Sequence, residues 1–351
     1  DEVKAKGIMS VPTVYKDQEE FTSGRATIEQ LVEKLDGPLD ADAFADKGVY
    51  DVLVIGGGPA GNSAAIYAAR KGLKTGLLAE TFGGQVIETV GIENMIGTLY
   101  TEGPKLMAQV EEHTKSYDVD IIKSQLATGI EKKELIEVTL ANGAVLKSKT
   151  AILALGAKWR NINVPGEEEF RNKGVTYCPH CDGPLFEGKN VAVIGGGNSG
   201  LEAALDLAGI TKHVTVLEFL PELKADQVLQ ERAAKTDNLT ILKNVATKEI
   251  VGQDHVTGLN YVERDTNEEK HLDLEGVFVQ IGLVPSTAWL KDSGIELNER
   301  QEIIVDKFGS TNIPGIFAAG DCTDSAYKQI IISMGSGATA AIGAFDYLIR
   351  Q

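Results

Sequence analysis

Cysteine and histidine are scarce in this sequence, with three and five among 351 residues. Three cysteines cannot build a disulfide framework. Two of them form a C-x-x-C motif at Cys178 and Cys181, where a zinc site would need two more ligands at suitable spacing. His180 lies inside the motif, and the other four histidines offer no second ligand pair. We therefore predict a redox motif and no metal site.

The sequence also lacks long apolar runs and a net positive charge. No apolar run approaches the ~18 residues of a membrane-spanning helix, and the N-terminus, Asp1-Glu2-Val3-Lys4, has no signal-peptide core. The net charge of −17 argues against nucleic acid, whose binding needs a basic face. We expect a cytoplasmic protein that binds neither membranes nor nucleic acid. Because no initiator Met is present, we also expect a fragment or a processed chain.

The chain is too long for one ordinary core, which indicates two or three domains. A strand pattern followed by a glycine-rich turn and an Ala-rich helix occurs twice. The first copy has its strand at 49–55 and its turn at 56–61, and the second has them at 190–194 and 195–200. This predicts an α/β fold with a duplicated βαβ nucleotide-binding unit.

Each glycine turn has the G-x-G-x-x-G spacing of a dinucleotide fingerprint, directly between a strand and a helix. The first glycine makes the turn, the second lets a pyrophosphate approach, and the third lets helix and strand pack closely. An acidic residue about 20 positions on is expected to bind a ribose hydroxyl. The predicted cofactor-binding residues are Gly56, Gly58, Gly61 and Glu80 in the first unit, and Gly195, Gly197, Gly200 and Glu218 in the second.

Two dinucleotide sites in one chain imply two dinucleotides, and one flavin with one nicotinamide is the economical interpretation because both carry hydride chemistry. Glu218 favours NADH, since an anion there accepts hydrogen bonds from a 2′-hydroxyl and repels a 2′-phosphate. An NADP site would favour Arg at this place, and the nearest cation is Lys224.

The C-x-x-C spacing of Cys178 and Cys181 permits a small disulfide ring, and such motifs commonly hold a thiolate of lowered pKa. His180 is a candidate to stabilise that thiolate, and Asp182 to move protons beside the pair. Surface-loop and turn or helix-cap roles remain open for these two residues. Cys322 has no partner nearby in the sequence, and we expect a buried small hydrophobe there.

The N-terminal part has a short strand pattern at 11–15 and then a helix pattern with Thr27 as its N-cap and Gln30 three residues later. Gly37-Pro38 ends this helix. Residues 38–48 are typical of a linker.

Several motifs together resemble one enzyme family. They are Gly83-Gly84-Gln85, Gly156-Ala157-Lys158-Trp159-Arg160, Cys178-Pro179-His180-Cys181-Asp182-Gly183, Gly320-Asp321-Cys322 and Lys328-Gln329-Ile330-Ile331-Ile332. Over residues 49–351 the chain resembles the flavoprotein component of bacterial alkyl hydroperoxide reductase and its relatives called NADH oxidases. It is more distantly similar to low-molecular-weight thioredoxin reductase.

The resemblance implies FAD binding by 49–159 and 282–351, with an NADH-binding domain inserted at 160–281. It also implies a homodimer, and hinges near Lys158–Arg160 and Gly282–Pro285. Added to the first fingerprint and Glu80, it implies four further FAD contacts: Gln85, Asn94, Asp321 and Gln329.

The resemblance further implies that electrons pass from NADH to FAD and then to the cysteine pair. Cys181 would be the flavin-side sulfur and Cys178 the exchange thiol. In the family a fused thioredoxin-like domain with its own C-x-x-C relays electrons to a peroxiredoxin. Residues 1–37 resemble a remnant of that domain without its cysteines, so we expect weak coupling to the peroxiredoxin. A thioredoxin reductase with a separate thioredoxin, and a flavin redox sensor without turnover, remain the alternatives.

Overall fold

Two sheets, one built around each glycine fingerprint, organise the computed structural model, which describes residues 13–16, 19–23, 41–44, 47–89 and 91–351. In chain order the strands are β1 (Thr13–Lys16), β2 (Glu19–Ser23), β3 (Val49–Ile55), β4 (Thr75–Ala79), β5 (Val119–Lys123), β6 (Ala127–Lys132), β7 (Ile136–Leu140), β8 (Val145–Leu153), β9 (Ala157–Trp159), β10 (Val175–Thr176), β11 (Asn190–Ile194), β12 (His213–Glu218), β13 (Leu239–Lys243), β14 (Val245–Gly252), β15 (Val256–Glu263), β16 (Glu268–Asp273), β17 (Gly276–Val279), β18 (Leu283–Pro285) and β19 (Ile316–Ala318). The α-helices are α1 (Pro59–Ala69), α2 (Gly103–Lys115), α3 (Pro179–Asp182), α4 (Asn198–Ala208), α5 (Gln227–Ala233) and α6 (Ile330–Leu348). Short 3₁₀ helices occur at Ala41–Phe44, Gly84–Glu88, Gly183–Phe186, Ala288–Leu290 and Gly320–Cys322.

The first sheet has the strand order β5-β4-β3-β8-β7-β6, and β19 pairs in parallel with β8. β3 lies in parallel between β4 and β8, as its β-branched sequence predicts for a strand buried on both faces. Helices α1 and α6 cover one face of this sheet with small residues, which let the helix backbones approach closely. The buried alanines of these two helices are Ala60, Ala64, Ala65, Ala68, Ala340, Ala341 and Ala344.

The second sheet is parallel throughout, with the order β10-β17-β11-β12-β13. An antiparallel sheet, β14-β15-β16, shares one apolar core with it, and α4 helps to fill another. The predicted α/β class with two Rossmann-like nucleotide-binding units is therefore confirmed.

A two-stranded antiparallel ribbon of β9 and β18 lies where the chain enters and leaves the second unit. Leu283 pairs with Trp159, Val284 with Lys158, and Pro285 with Ala157. These are the segments that the resemblance marks as hinges. The domain boundaries and the hinge role stay predictions.

The N-terminal part contributes an antiparallel hairpin of β1 and β2, in which Thr13 faces Ser23. The predicted strand at 11–15 overlaps β1, whereas Val11, Pro12 and the predicted helix from Thr27 lie outside the described residues. In the predicted linker, residues Ala41–Phe44 form a 3₁₀ helix that contacts β8, and Phe44 is buried in the core of the first sheet. The end of this segment is therefore packed on the first sheet.

Helix α6 is long and apolar enough, by length and composition alone, to cross a membrane, although the sequence contains no uninterrupted apolar run of that length. Its buried residues Ser333, Gly337, Ala340, Ala341 and Ala344 form one face. A Cβ on Gly337 would lie 2.1 Å from the Ala60 carbonyl oxygen. This close contact with α1 is that of a helix packed in a domain.

Candidate active site

The first glycine fingerprint forms an open cradle at the N-terminus of α1. Gly56 has a φ of +121°, which only glycine adopts easily. A Cβ on Gly61 would lie 1.8 Å from the Gly56 carbonyl oxygen, whereas a Cβ on Gly58 would meet nothing within 4 Å. Gly58 is also the N-cap of α1 and leaves the helix without a side-chain cap. The first N–H groups of α1 thus face space that a pyrophosphate can occupy.

The second fingerprint repeats this geometry at the N-terminus of α4. Gly195 has a φ of +118°, and a Cβ on Gly200 would lie 1.9 Å from the Gly195 carbonyl oxygen. A Cβ on Gly197 would meet nothing within 4 Å, and Gly197 is the N-cap of α4 without a side-chain capping hydrogen bond. In both turns the first glycine has a positive φ, the third packs against the first, and the second faces open space. Cofactor binding by these glycines stays a prediction.

Distant parts of the sequence meet around the first cradle. A Cβ on Gly320 would lie 2.9 Å from the Ala60 side chain, so the turn that carries Asp321 abuts the start of α1. The Asp321 carboxylate accepts a hydrogen bond from Ser333 at 2.9 Å. Burial raises the pKa of Asp321, and the Ser333 hydrogen bond opposes this effect.

Asn94 and Gln329, which are predicted FAD contacts far apart in sequence, are brought together. Asn94 Nδ2 donates to Gln329 Oε1 at 3.0 Å, and Gln329 is the N-cap of α6. The side chain of Glu80 is exposed directly after the end of β4, and its contact with a ribose stays a prediction.

Gln85 has protein partners rather than a free amide. In the amide orientation that satisfies both of its polar atoms, the nitrogen donates to the Ala157 carbonyl and the oxygen accepts from Trp159 Nε1. Because both partners belong to β9, Gln85 ties the 3₁₀ helix Gly84–Glu88 to the ribbon that leads into the second unit.

Glu218 is buried beside the second fingerprint, and both of its carboxylate oxygens accept hydrogen bonds from the backbone. The donors are the N–H of Gly196 and the N–H of Leu220, the latter at 2.7 Å. Glu218 therefore shapes the fingerprint loop as well as being a candidate ribose ligand.

Two contacts beside this loop were not predicted from the sequence. Asn198 pairs with Asp226, and the Arg264 guanidinium lies 3.9 Å from the Phe219 ring centroid. Arg264 is 45 residues from Phe219 in sequence, so no local pattern signals that contact.

Cys178 and Cys181 form a disulfide across the single turn of α3. Helix α3 packs on α4, and His180 Nδ1 lies 3.2 Å from Asp206 of that helix. His180 is thus directed to a carboxylate of α4. The redox pair and the second cradle therefore belong to one packed unit.

Asp182 follows Cys181 and is half-buried. Burial raises its carboxyl pKa, and a hydrogen bond from the Thr176 hydroxyl opposes that rise. Cys322, in contrast, is fully buried and free, and burial raises the pKa of its thiol to about 11. It is the small buried hydrophobe that we expected. Within the described ranges, no three His, Cys, Asp or Glu residues form a group that could hold a metal ion.

Comparison with known proteins agrees with this architecture. Residues 50–337 match the pyridine nucleotide-disulphide oxidoreductase family, and the chain belongs to it. Membership of this family implies the use of a flavin and a pyridine nucleotide, and the structure has two nucleotide cradles. The chain is accordingly a flavoprotein oxidoreductase of this family.

Individual relatives narrow the resemblance. The chain is 66% identical over 351 residues to an NADH dehydrogenase of Ferdinandcohnia aciditolerans, covering 100% of this chain and 67% of the relative. It is 58% identical over 349 residues to the F component of the alkyl hydroperoxide reductase of Staphylococcus aureus, covering 99% of this chain and 69% of that protein. Its fold is similar to thioredoxin reductase from Streptococcus pyogenes, with a TM-score of 0.82 and 36% identity over 86% of this chain and 99% of that chain.

Proposed function

We propose that this chain is an NADH-dependent FAD disulfide oxidoreductase that passes electrons from NADH through FAD to Cys178 and Cys181. One observation carries the proposal: a formed C-x-x-C disulfide, with a half-buried carboxyl beside it, is packed on the helix that begins at a nucleotide cradle. That arrangement couples nucleotide binding to disulfide chemistry in one unit.

FAD is assigned to residues 49–159 and 282–351, and NADH to residues 160–281. The open first cradle, with Asp321 and Gln329 beside it, suits FAD, which would supply the two-electron chemistry. Glu218 supports NADH over NADPH because its buried carboxylate would repel a 2′-phosphate. Cys181 is the flavin-side sulfur, Cys178 attacks the next disulfide, and Asp182 moves the proton.

The acceptor that we propose is a thioredoxin-like relay that reduces a peroxiredoxin, in a homodimeric enzyme. The 58% identity to the F component of an alkyl hydroperoxide reductase supports this choice. A separate thioredoxin is the second candidate, supported by the likeness to thioredoxin reductase at 36% identity. The assay that distinguishes the relay domain from a separate thioredoxin as acceptor measures NADH oxidation in the presence of peroxiredoxin and peroxide. The relay domain or thioredoxin is added in trans.

Anaerobic rapid mixing of the FAD-loaded chain with NADH or NADPH tests the cofactor assignment. We expect NADH to be preferred by at least about tenfold in kcat/KM, which is roughly 1.4 kcal/mol. Equal rates of flavin reduction would refute the role of Glu218. Glu218→Arg should narrow or invert the preference. Glu218→Gln is the control that keeps one hydrogen-bond acceptor while removing the charge.

A further inference from the structure

We propose that Thr176 is a positioning residue for the redox reaction, whose hydroxyl holds the Asp182 carboxyl beside the Cys178–Cys181 pair. The inference rests on the proposed function because it assigns proton transfer to Asp182. It adds a residue that lies outside the C-x-x-C-D motif.

The backbone places Thr176 rigidly. It is the last residue of β10, it is buried, and it pairs with Phe278 of β17 in the parallel sheet. Because its backbone is fixed in a buried strand, the Thr176 hydroxyl has little freedom to change position. Thr176 therefore provides a stationary anchor next to the short helix α3.

The Thr176 hydroxyl makes two contacts with the redox motif. It donates a hydrogen bond to Asp182 Oδ2, and its oxygen accepts one from the Cys178 backbone N–H at 3.4 Å. The hydroxyl thus links the backbone of the first cysteine to the carboxyl that follows the second.

The common structural role for Asp182 would be to cap a helix, and its position permits that role. Asp182 is the N-cap of the 3₁₀ helix Gly183–Phe186, but its side chain makes no capping hydrogen bond. Within the described part of the chain, Thr176 is the partner of its carboxylate. The carboxyl is therefore held for something other than helix stability.

The pKa of the Asp182 carboxyl depends on burial and on the Thr176 hydrogen bond, because the neighbouring charged groups have other partners or are exposed. His180 on α3 pairs with Asp206 of α4, and Glu202 is exposed on the same helix. The segment Gly183–Phe186 and β10 contain no titratable side chain. Burial raises the pKa of Asp182 and the Thr176 hydrogen bond lowers it, so the hydroxyl sets the balance between the two forms.

Proton transfer by Asp182 completes the reduction step. When the disulfide accepts the two electrons that NADH supplies, the S–S bond breaks and two thiolates form. The protonated Asp182 carboxyl gives its proton to one thiolate and becomes a carboxylate. When the pair is reoxidised by an acceptor disulfide, the carboxylate takes a proton back.

The test compares three variants of the FAD-loaded chain. Thr176→Val removes the hydroxyl and keeps the β-branched shape, Thr176→Ser keeps the hydroxyl, and Asp182→Asn removes the titrating group. Infrared difference spectra against pH report the Asp182 carboxyl directly, and NADH-dependent reduction of a small artificial disulfide gives the pH profile. FAD content and thermal unfolding confirm that each variant is folded.

We expect Thr176→Val to raise the pKa of Asp182 by about one unit, a tenfold change in its ionisation constant. Asp182→Asn should remove one limb of the pH profile, and in Thr176→Val that limb should move to higher pH by the same amount. The pH profile of Thr176→Ser should stay close to that of the wild type. The inference is overturned if Thr176→Val leaves both readouts unchanged, or if Thr176→Ser shifts them equally. If Asp182→Asn does not alter the profile, the proposed role of Asp182 itself fails.

Discussion

At the residue scale, the glycines of each fingerprint differ in what they contact. Gly61 and Gly200 lie against the backbone oxygen of the first glycine of their turns, whereas Gly58 and Gly197 face open space. The first kind packs strand against helix, and we propose that the second lets a cofactor approach. Alanine substitutions should therefore separate folding from binding.

We expect Gly61→Ala to lower the free energy of unfolding by roughly 1–3 kcal/mol, because its Cβ would overlap the Gly56 carbonyl oxygen. Gly58→Ala should preserve stability, since its φ of −79° suits alanine, yet it should lose FAD because the methyl occupies the pyrophosphate path. Urea unfolding of the FAD-free chain and the FAD content after reconstitution measure the two effects. Equal losses of stability in both variants would contradict the division of roles.

His180 also belongs to the residue scale. The sequence suggested an imidazolium that stabilises a thiolate, and the structure directs its Nδ1 to Asp206. This exposed contact joins α3 to α4. Its catalytic role stays a prediction.

At the scale of elements, the segment before α6 is held by an ion pair. Lys328 Nζ lies 2.8 Å from Glu302, and the two side chains are only 15% and 13% exposed. Lys328 also donates to the Thr323 carbonyl oxygen. The pair therefore anchors the segment that carries Gln329, a predicted flavin contact.

We expect Lys328→Met to lower the free energy of unfolding by about 2 kcal/mol at neutral pH, because it leaves the Glu302 carboxylate partly buried without its cation. Burial tends to raise the pKa of Glu302, but Lys328 and Asn298 hold it below its usual value. A lowered carboxyl pKa stabilises the fold above the unfolded-state pKa, and this stabilisation is lost as the pH falls. Urea unfolding should therefore show the difference between wild type and variant shrinking below about pH 4.

A matched control is Lys133→Met, which removes a surface pair. Lys133 Nζ lies 2.7 Å from Glu137, but its side chain is 51% exposed. Exposed pairs contribute between about 0 and 1 kcal/mol. A loss as large as that of Lys328→Met would show that burial does not distinguish the two pairs.

At the scale of the whole molecule, two nucleotide-binding units divide the proposed electron path. The first cradle lies in the sheet made of β3–β8 and β19, and the second cradle shares its unit with the cysteine pair. Hydride transfer to the flavin should therefore not depend on the sulfurs, which come later in the path.

We expect Cys178→Ser and Cys181→Ser each to abolish reduction of disulfide substrates while NADH still reduces the flavin at a rate within about threefold of wild type, a difference of less than about 1 kcal/mol in the barrier. The physical reason is that either substitution removes the dithiol, whereas both cradles stay intact. Anaerobic stopped-flow absorbance follows the flavin, and reduction of a small artificial disulfide follows the sulfurs. Loss of flavin reduction in a folded, FAD-loaded variant would reverse the proposed order.

The sequence by itself determined the class of fold, the duplication and the position of the cysteine pair. Each depends on local patterns: a β-branched strand, glycines at fixed spacing before a helix, and two cysteines within one turn. The relatives confirm the family that these motifs indicate.

The tertiary structure decided which of the polar residues meet. Asn94 donates a hydrogen bond to Gln329, 235 positions away in the sequence, and the Thr176 hydroxyl donates one to Asp182. The partners of the Gln85 amide belong to β9. No periodicity encodes such contacts, because chain folding brings the partners together only when the sheets and the ribbon have formed. The burial of Asp182 and Asp321 is likewise a property of the packed units, and it alone gives their carboxyl groups a raised pKa.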